Sequence, residues 1–403
     1  MQTDLPEDQL HANPSPTTPL RVKAVEPVDL VSYIQHTLGF VPRNSITAIA
    51  LAGRDLGAVL RCDWDPLLTD DWDALSGYAS QVAGYLTADE RADGSLVFLF
   101  RDSTGYVGPD DDSDGLLADA LEFELAAVGL PLQEAWLVAD GRLWHLDCPD
   151  PTTCTAHGSE VARTATSALN TAFILEGSVV EDEPQAAVLP APADRMSPAL
   201  HEAVRRFGRP GHGGRPRAQW LRDWEQVLGG AELPADPAER AGLLGGLADV
   251  HLRDTLVAAA SFTLERAVSG AAWLHALPQE VAQAFDVSPR EVNGVLYSSV
   301  LMAASRRAPD WDRIARLRRA CELLLPEAAG EPATAARCLV AWVEWARGRG
   351  SVAGRVIEEC RRADPEYPLV QVLGEVVDCG VLSGWARRRS TAWSARRGAG
   401  PER

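Results

Sequence analysis

A chain of 403 residues with 46% hydrophobic content is long enough for two globular cores, and its net charge of −19 sits in one half. Residues 1–200 hold 10 Lys+Arg against 32 Asp+Glu, a net of −22, whereas residues 201–403 hold 28 against 25, a net of +3. So acidic an N-terminal half excludes a nucleic-acid surface there, because phosphates are repelled. The single lysine, Lys23, excludes a P-loop and argues against Schiff-base or lysine general-base chemistry.

No run approaches the roughly 20 apolar residues of a membrane span, so no membrane partner is expected. Residues 1–25 lack the basic start and apolar core of a secretory signal and read as a disordered leader. Seven scattered cysteines point to reduced thiols and a cytoplasmic location rather than a disulfide framework.

An α/β domain is expected over residues 26–180. Glu26-Pro27 opens a helix with the stripe Val28, Val31, Ile34 and Leu38, and Gly39 stops it. Strands follow at Ser45–Leu51 and Ala58–Cys62, joined by a turn from Gly53 to Gly57. The second strand runs into Asp63-Trp64-Asp65-Pro66. Two carboxylates just past a strand end, Asp63 and Asp65, are candidates for a base and nucleophile or a cation site; capping of the next turn is the plainer reading.

A helix over Asp70–Ala88 precedes the apolar strand Ser95–Phe100, whose composition suits a covered central position. Asp110, Asp112, Asp114 and Gly115 match the first half of a calcium loop, but Leu121 stands where the bidentate glutamate belongs. A helix capped by Ser113 or Asp114 and running through Val128 is the better reading.

Residues 134–158 are the most chemically loaded stretch. Asp140-Gly141 between two apolar runs predicts a tight hairpin, pairing Ala139 with Arg142 and Trp136 with His145. His145, Cys148, Cys154 and His157 then read H-x2-C-x5-C-x2-H, a donor set that can hold a tetrahedral zinc. The spacing is not that of a standard finger. Structural loop residues without cofactor are therefore the expectation, with zinc as the alternative. A helix over Glu160–Leu175 completes a mixed sheet with two β-hairpins and helices packed on it.

Residues 181–216 read as a linker containing a short helix at Pro198–Phe207. Helices alone are expected from 217 to 381: 217–229, 237–263, 266–276, 290–305, 310–325, 333–348, 351–363 and 367–380. The segment from Trp342 to Tyr367 is close to one tetratricopeptide unit, which makes the second domain all-α, with repeat-like helical hairpins. Residues 382–403 read as a basic disordered tail, with Trp385 and Trp393 among Arg387, Arg388, Arg389, Arg396 and Arg397.

Leu38–Ile46 (LGFVPRNSI), Leu60–Pro66 (LRCDWDP), Val138–Cys148 (VADGRLWHLDC) with Cys154 behind it, and Asp364-Pro365-Glu366-Tyr367 occur in an order that resembles the actinobacterial family called domain of unknown function 4192. Members tend to read Arg-x-Asp-Leu-Pro where this chain has one residue more, from Arg61 to Pro66. They usually place Pro and Gly after the second cysteine, where this chain has Thr155-Ala156-His157-Gly158. His145 and His157 are not features of the family. The resemblance implies no activity and no catalytic residues.

No G-x-S-x-G, H-E-x-x-H or G-x-G-x-x-G pattern occurs in the chain. The leading expectation is a non-enzymatic interaction or regulatory protein that binds a protein partner through its helical domain. A metal-dependent hydrolase using Asp63/Asp65 or the Cys148/Cys154 region is the second reading. A nucleic-acid accessory protein acting through residues 385–397 is the third.

Overall fold

The structure, a computed structural model, describes residues 23–64, 71–102, 112–146, 158–175, 178, 180–182, 189–207, 214–388 and 390–393. The N-terminal part contains α1 (Pro27–Leu38), β1 (Ser45–Ala52), β2 (Asp55–Asp63), α2 (Trp72–Leu86), β3 (Gly94–Arg101), α3 (Asp112–Ala127), β4 (Leu132–Ala139), β5 (Arg142–Leu146), β6 (Ser159–Glu160) and α4 (Ala168–Leu175). The six strands form one sheet in the order β2-β1-β3-β4-β5-β6. Only β3 and β4 run parallel, across the α3 connection; the other neighbours are antiparallel. This is the expected mixed sheet with two hairpins.

Period-2 alternation divides the core between the two faces of the sheet. Ile46, Ala48, Ala50, Val97, Leu99 and Leu137 pack with Leu75, Val82 and Leu86 of α2 and Leu117, Leu121 and Leu125 of α3. Ile49, Leu51, Phe98, Phe100 and Leu143 pack with Val28, Val31 and Ile34 of α1. Strands covered on both faces lose the alternating pattern, which is why β1 and β3 read as continuous apolar runs. Each fully buried side chain of this kind is worth about 1.5–3 kcal/mol.

Local chemistry fixes the ends. Asp29 accepts from the backbone N–H groups of Val25 and Glu26, and Gly39 ends α1 at φ 83°. Asp140 and Gly141 take φ 47° and 73°, the positive pair a type I′ hairpin needs, and the pairing is Ala139 with Arg142 and Trp136 with His145 as expected. Asp114, fully buried, is ion-paired with Arg101, tying the start of α3 to the end of β3.

The helix expected over Glu160–Leu175 is divided. Ser159 and Glu160 pair with Leu143 and Arg142 as β6, residues 161–166 form a 3-10 turn, and α4 begins after Ser167, whose Oγ accepts from the Asn170 N–H. The hydroxyl-rich Thr164–Ser167 stretch competes for the backbone and places the cap there.

The helical part comprises α5 (Pro198–Phe207), α6 (Gly214–Leu228), α7 (Pro237–Gly245), α8 (Val250–Ser261), α9 (Leu264–Trp273), α10 (Gln279–Ala284), α11 (Glu291–Leu301), α12 (Trp311–Leu324), α13 (Glu331–Ala346), α14 (Gly350–Ala363) and α15 (Pro368–Asp378). One continuous core joins them. The helix expected over 237–263 is broken by a 3-10 turn at Gly246–Ala248, and Asp249 caps α8 through the N–H groups of His251 and Leu252. Close approach explains the glycines at the break: a Cβ on Gly246 would lie 2.2 Å from Trp220 Nε1, and one on Gly245 would lie 2.5 Å from Ala203 Cβ.

Both expected connectors carry core residues. Leu189, Leu200 and Phe207, from the stretch read as linker, are buried in the helical core. Trp385, from the stretch read as a disordered tail, is fully enclosed between Trp311 and Trp342. The burial of that indole is what orders residues 382–388 after α15. No described helix is long and apolar enough to cross a membrane.

Candidate functional site

Asp63 ends β2 at the sheet edge. Its carboxylate meets Arg61 Nη2 at 2.6 Å, its side chain is 84% exposed, and its carbonyl accepts from Tyr78 Oη at 2.8 Å. Asp65 lies outside the described residues. His145 sits on β5 and meets Trp136 edge-on, with ring centroids 4.6 Å apart; its Nδ1 is buried with no hydrogen-bond partner. Cys148, Cys154 and His157 lie outside the described residues. Strands β1, β3 and β4 separate Asp63 from His145, about 19 Å at the usual strand spacing. Asp63 and His145 therefore do not share a centre. Among the described residues no group of three or more His, Cys, Asp or Glu side chains is placed to hold a metal ion.

A cleft of about 4110 Å³ lies between the two parts of the chain. One wall is the outer face of α1, β2 and the end of α2. The other is built from α12, the end of α13, the start of α14, α15 and the chain leading to Trp393. The walls differ in charge. Among the described lining residues the helical wall carries seven arginines against two carboxylates, and the α/β wall seven carboxylates against four cations. Apolar surface is interleaved through half-buried Val377 and Trp393 on the helical side, with Trp345 and Val352 buried behind them.

The α13–α14 turn, Arg347-Gly348-Arg349-Gly350-Ser351, is the centre of the basic wall. Gly348 adopts φ 81° and reverses the chain. Behind the turn lies Glu344, fully buried, around which three arginines converge. Arg318 Nε and Arg347 Nη1 meet its Oε1 at 2.6 and 3.2 Å, and Arg349 Nη1 meets its Oε2 at 3.0 Å. Glu322 adds a contact to Arg318 at 2.9 Å. Three guanidiniums against two carboxylates leave one net positive charge. Burial, and next the neighbouring guanidiniums of Arg318 and Arg349, push the Arg347 pKa down against the opposing pull of Glu344.

The α/β wall reaches across at the same place. Arg61 Nη1 donates to Ser351 Oγ at 2.9 Å, and its guanidinium lies 5.7 Å from the Phe40 ring centroid. A second bridge lies further along, where Gln81 Nε2 and Tyr85 Oη donate to the Cys379 carbonyl at 3.0 and 3.3 Å. Beside Arg61, burial and then the Asp63 charge push the Cys62 thiol up to about 12.

Sequence reading did not single out Arg61, Glu344, Arg347, Arg349 or Ser351 as a group. The signal present was the alternation of arginine and glycine over 347–350 between two helices. It becomes a site only because Arg61, 290 positions away from Ser351, arrives beside it. The LGFVPRNSI stretch also meets this turn: Arg349 Nη2 lies 4.0 Å from the Cβ position of Gly39.

A family model described as Domain of unknown function (DUF4192) matches residues 27–382. No curated protein and no solved structure matches the chain.

Proposed function

The chain belongs to the DUF4192 family, whose description carries no activity, and from that premise we propose a non-enzymatic cytoplasmic interaction or regulatory protein that holds an acidic segment of a protein partner in its cleft. The cleft itself carries this reading. At about 4110 Å³ it far exceeds the roughly 300–1,000 Å³ of small-molecule pockets, so a chain segment suits it better. Its helical wall combines arginines with half-buried Trp393, the residue types that anchor protein interfaces. The α13–α14 pair, the tetratricopeptide-like hairpin, presents that wall. The acidic opposite wall disfavours a nucleic-acid duplex, whose phosphates would face carboxylates.

The test is photo-crosslinking from a residue placed at Arg355 in the cleft, compared with one at exposed Phe123 on α3. The expected result is one protein captured repeatedly from position 355 only, and lost in Arg355→Glu/Arg387→Glu chains crosslinked from Val377. Capture of the same proteins from both positions, or of none, overturns the reading.

A further inference from the structure

We propose that the seam between the two parts of the chain carries a phosphate-binding site, formed by Arg61, Arg347 and Arg349 at the amino end of α14. The inference stands apart from the partner reading, because it concerns one anion subsite and not the whole cleft.

Four observations meet there. First, the guanidiniums of Arg347 and Arg349, with Arg318 behind them, outnumber the carboxylates they contact, leaving net positive charge around a fully buried glutamate. Second, the Arg61 and Arg347 side chains are only 10% and 8% exposed, and the Nε–H of each is buried with no hydrogen-bond partner. A buried donor without a partner is costly, and an oxyanion lined up with a guanidinium edge satisfies it. Third, α14 is a helix of 14 residues whose N-cap, Arg349, supplies no side-chain acceptor. The Val352 N–H already donates to the Arg349 carbonyl, so the Gly350 and Ser351 N–H groups and the positive end of the dipole are what an anion would meet. Fourth, the approach is open, because nothing lies within 4 Å of the Cβ position of Gly350.

The chemistry favours phosphate over a single carboxylate. A phosphate monoester carries about −1.5 to −2 charges at pH 7 and three acceptor oxygens, enough to engage more than one guanidinium and a helix N-terminus together. Arg347 is held below its ordinary pKa by burial, so a further anion beside it is favourable. Both walls contribute, with Arg61 docked on Ser351, so occupation draws the two parts together.

The test is calorimetric titration of the full chain at constant ionic strength with inorganic phosphate, phosphoserine and pyrophosphate in separate arms. The variants are Arg349→Gln, Arg61→Gln and, as a distant control, Arg205→Gln on the exposed face of α5. Arg349 is 34% exposed, and Arg318 and Arg347 still hold Glu344 without it; thermal melting checks that Arg349→Gln stays folded. Saturable binding at millimolar phosphate or tighter is expected, weakened about ten-fold in Arg349→Gln and in Arg61→Gln by loss of a charge-assisted hydrogen bond, and unchanged in Arg205→Gln. A tighter phosphoserine arm assigns the phosphate to a protein, and a tighter pyrophosphate arm to a nucleotide; either supports the site. Absence of saturable binding in all three arms, or equal binding in all variants, overturns it, whatever the crosslinking result.

Discussion

Trp385 and Trp311 touch edge to face, with ring centroids 5.8 Å apart, yet their indole N–H groups differ. Trp311 Nε1 donates to the Thr391 carbonyl at 3.0 Å, whereas Trp385 Nε1 is buried without a partner. Removing an unsatisfied donor relieves a desolvation cost, and removing a satisfied one strands its acceptor. Trp385→Phe is therefore expected to cost less than about 1.5 kcal/mol, Trp311→Phe about 1–3 kcal/mol, and Trp385→Ala about 3–5 kcal/mol through the cavity left. Urea unfolding at constant m reads all three, and a Trp385→Phe chain as unstable as Trp385→Ala would refute the ranking. The thiols give a second contrast. Cys321 is fully buried, and burial followed by the Glu322 charge raises its pKa to about 12; Cys62 is raised to the same value. Thiolate is the reactive form, so alkylation followed by peptide mapping should modify exposed Cys379 well before Cys62 or Cys321 between pH 7 and 9. The sign for stability follows. Above the ordinary thiol value of 9.0 the unfolded chain releases protons that native Cys62 and Cys321 keep. Their contribution is whole below pH 9 and declines as pH rises toward 12, so a urea midpoint constant from pH 8 to 11 would contradict it.

Elements were legible where one residue type decides the backbone. Gly39 ends α1, and Asp140-Gly141 turns the hairpin, because few other residues take positive φ without cost. They were not legible where two local signals competed. Ser167 ends a 3-10 turn and caps α4 inside a stretch that reads as a single helix. Asp249 does the same between α7 and α8, beside two glycines whose necessity lies in Ala203 and Trp220 rather than in their own neighbourhood. Trp385 shows the limit most directly, since nothing among the arginines around it announces that Trp311 and Trp342 will enclose it. The α13–α14 hairpin was legible as a hairpin, but its internal electrostatics were not: a glutamate between Val343 and Trp345 gives no sign that three arginines will converge on it. Glu344→Gln keeps the volume and removes the charge that holds Arg318, Arg347 and Arg349 together. The expected loss is about 3–5 kcal/mol, the range for stranding a buried ion-pair partner. A loss below about 1 kcal/mol, the size of an exposed pair, would show that solvent already screens the cluster.

At the scale of the whole molecule the uneven charge acquires a place. The acidic N-terminal half and the arginine-rich helical wall face one another across the cleft, and the direct bridges between them are polar: Arg61 to Ser351, and Gln81 and Tyr85 to Cys379. None of this was readable along the chain, because each bridge joins residues about 290 positions apart. Polar bridges over an open cleft permit relative motion of the two parts unless charge holds them. Attraction between opposed walls is screened as the Debye length falls from about 30 Å at 0.01 M salt to about 3 Å at 1 M. Small-angle scattering should therefore show a larger radius of gyration at high salt. Arg61→Ala should show part of the increase at low salt already, because it removes the bond to Ser351. Phosphate added at high salt should reduce the expansion of the native chain but not that of Arg61→Ala, since the anion needs both walls to be held. A radius indifferent to salt, to the substitution and to phosphate would mean that packing around the two bridges, rather than charge across the cleft, fixes how the two parts meet.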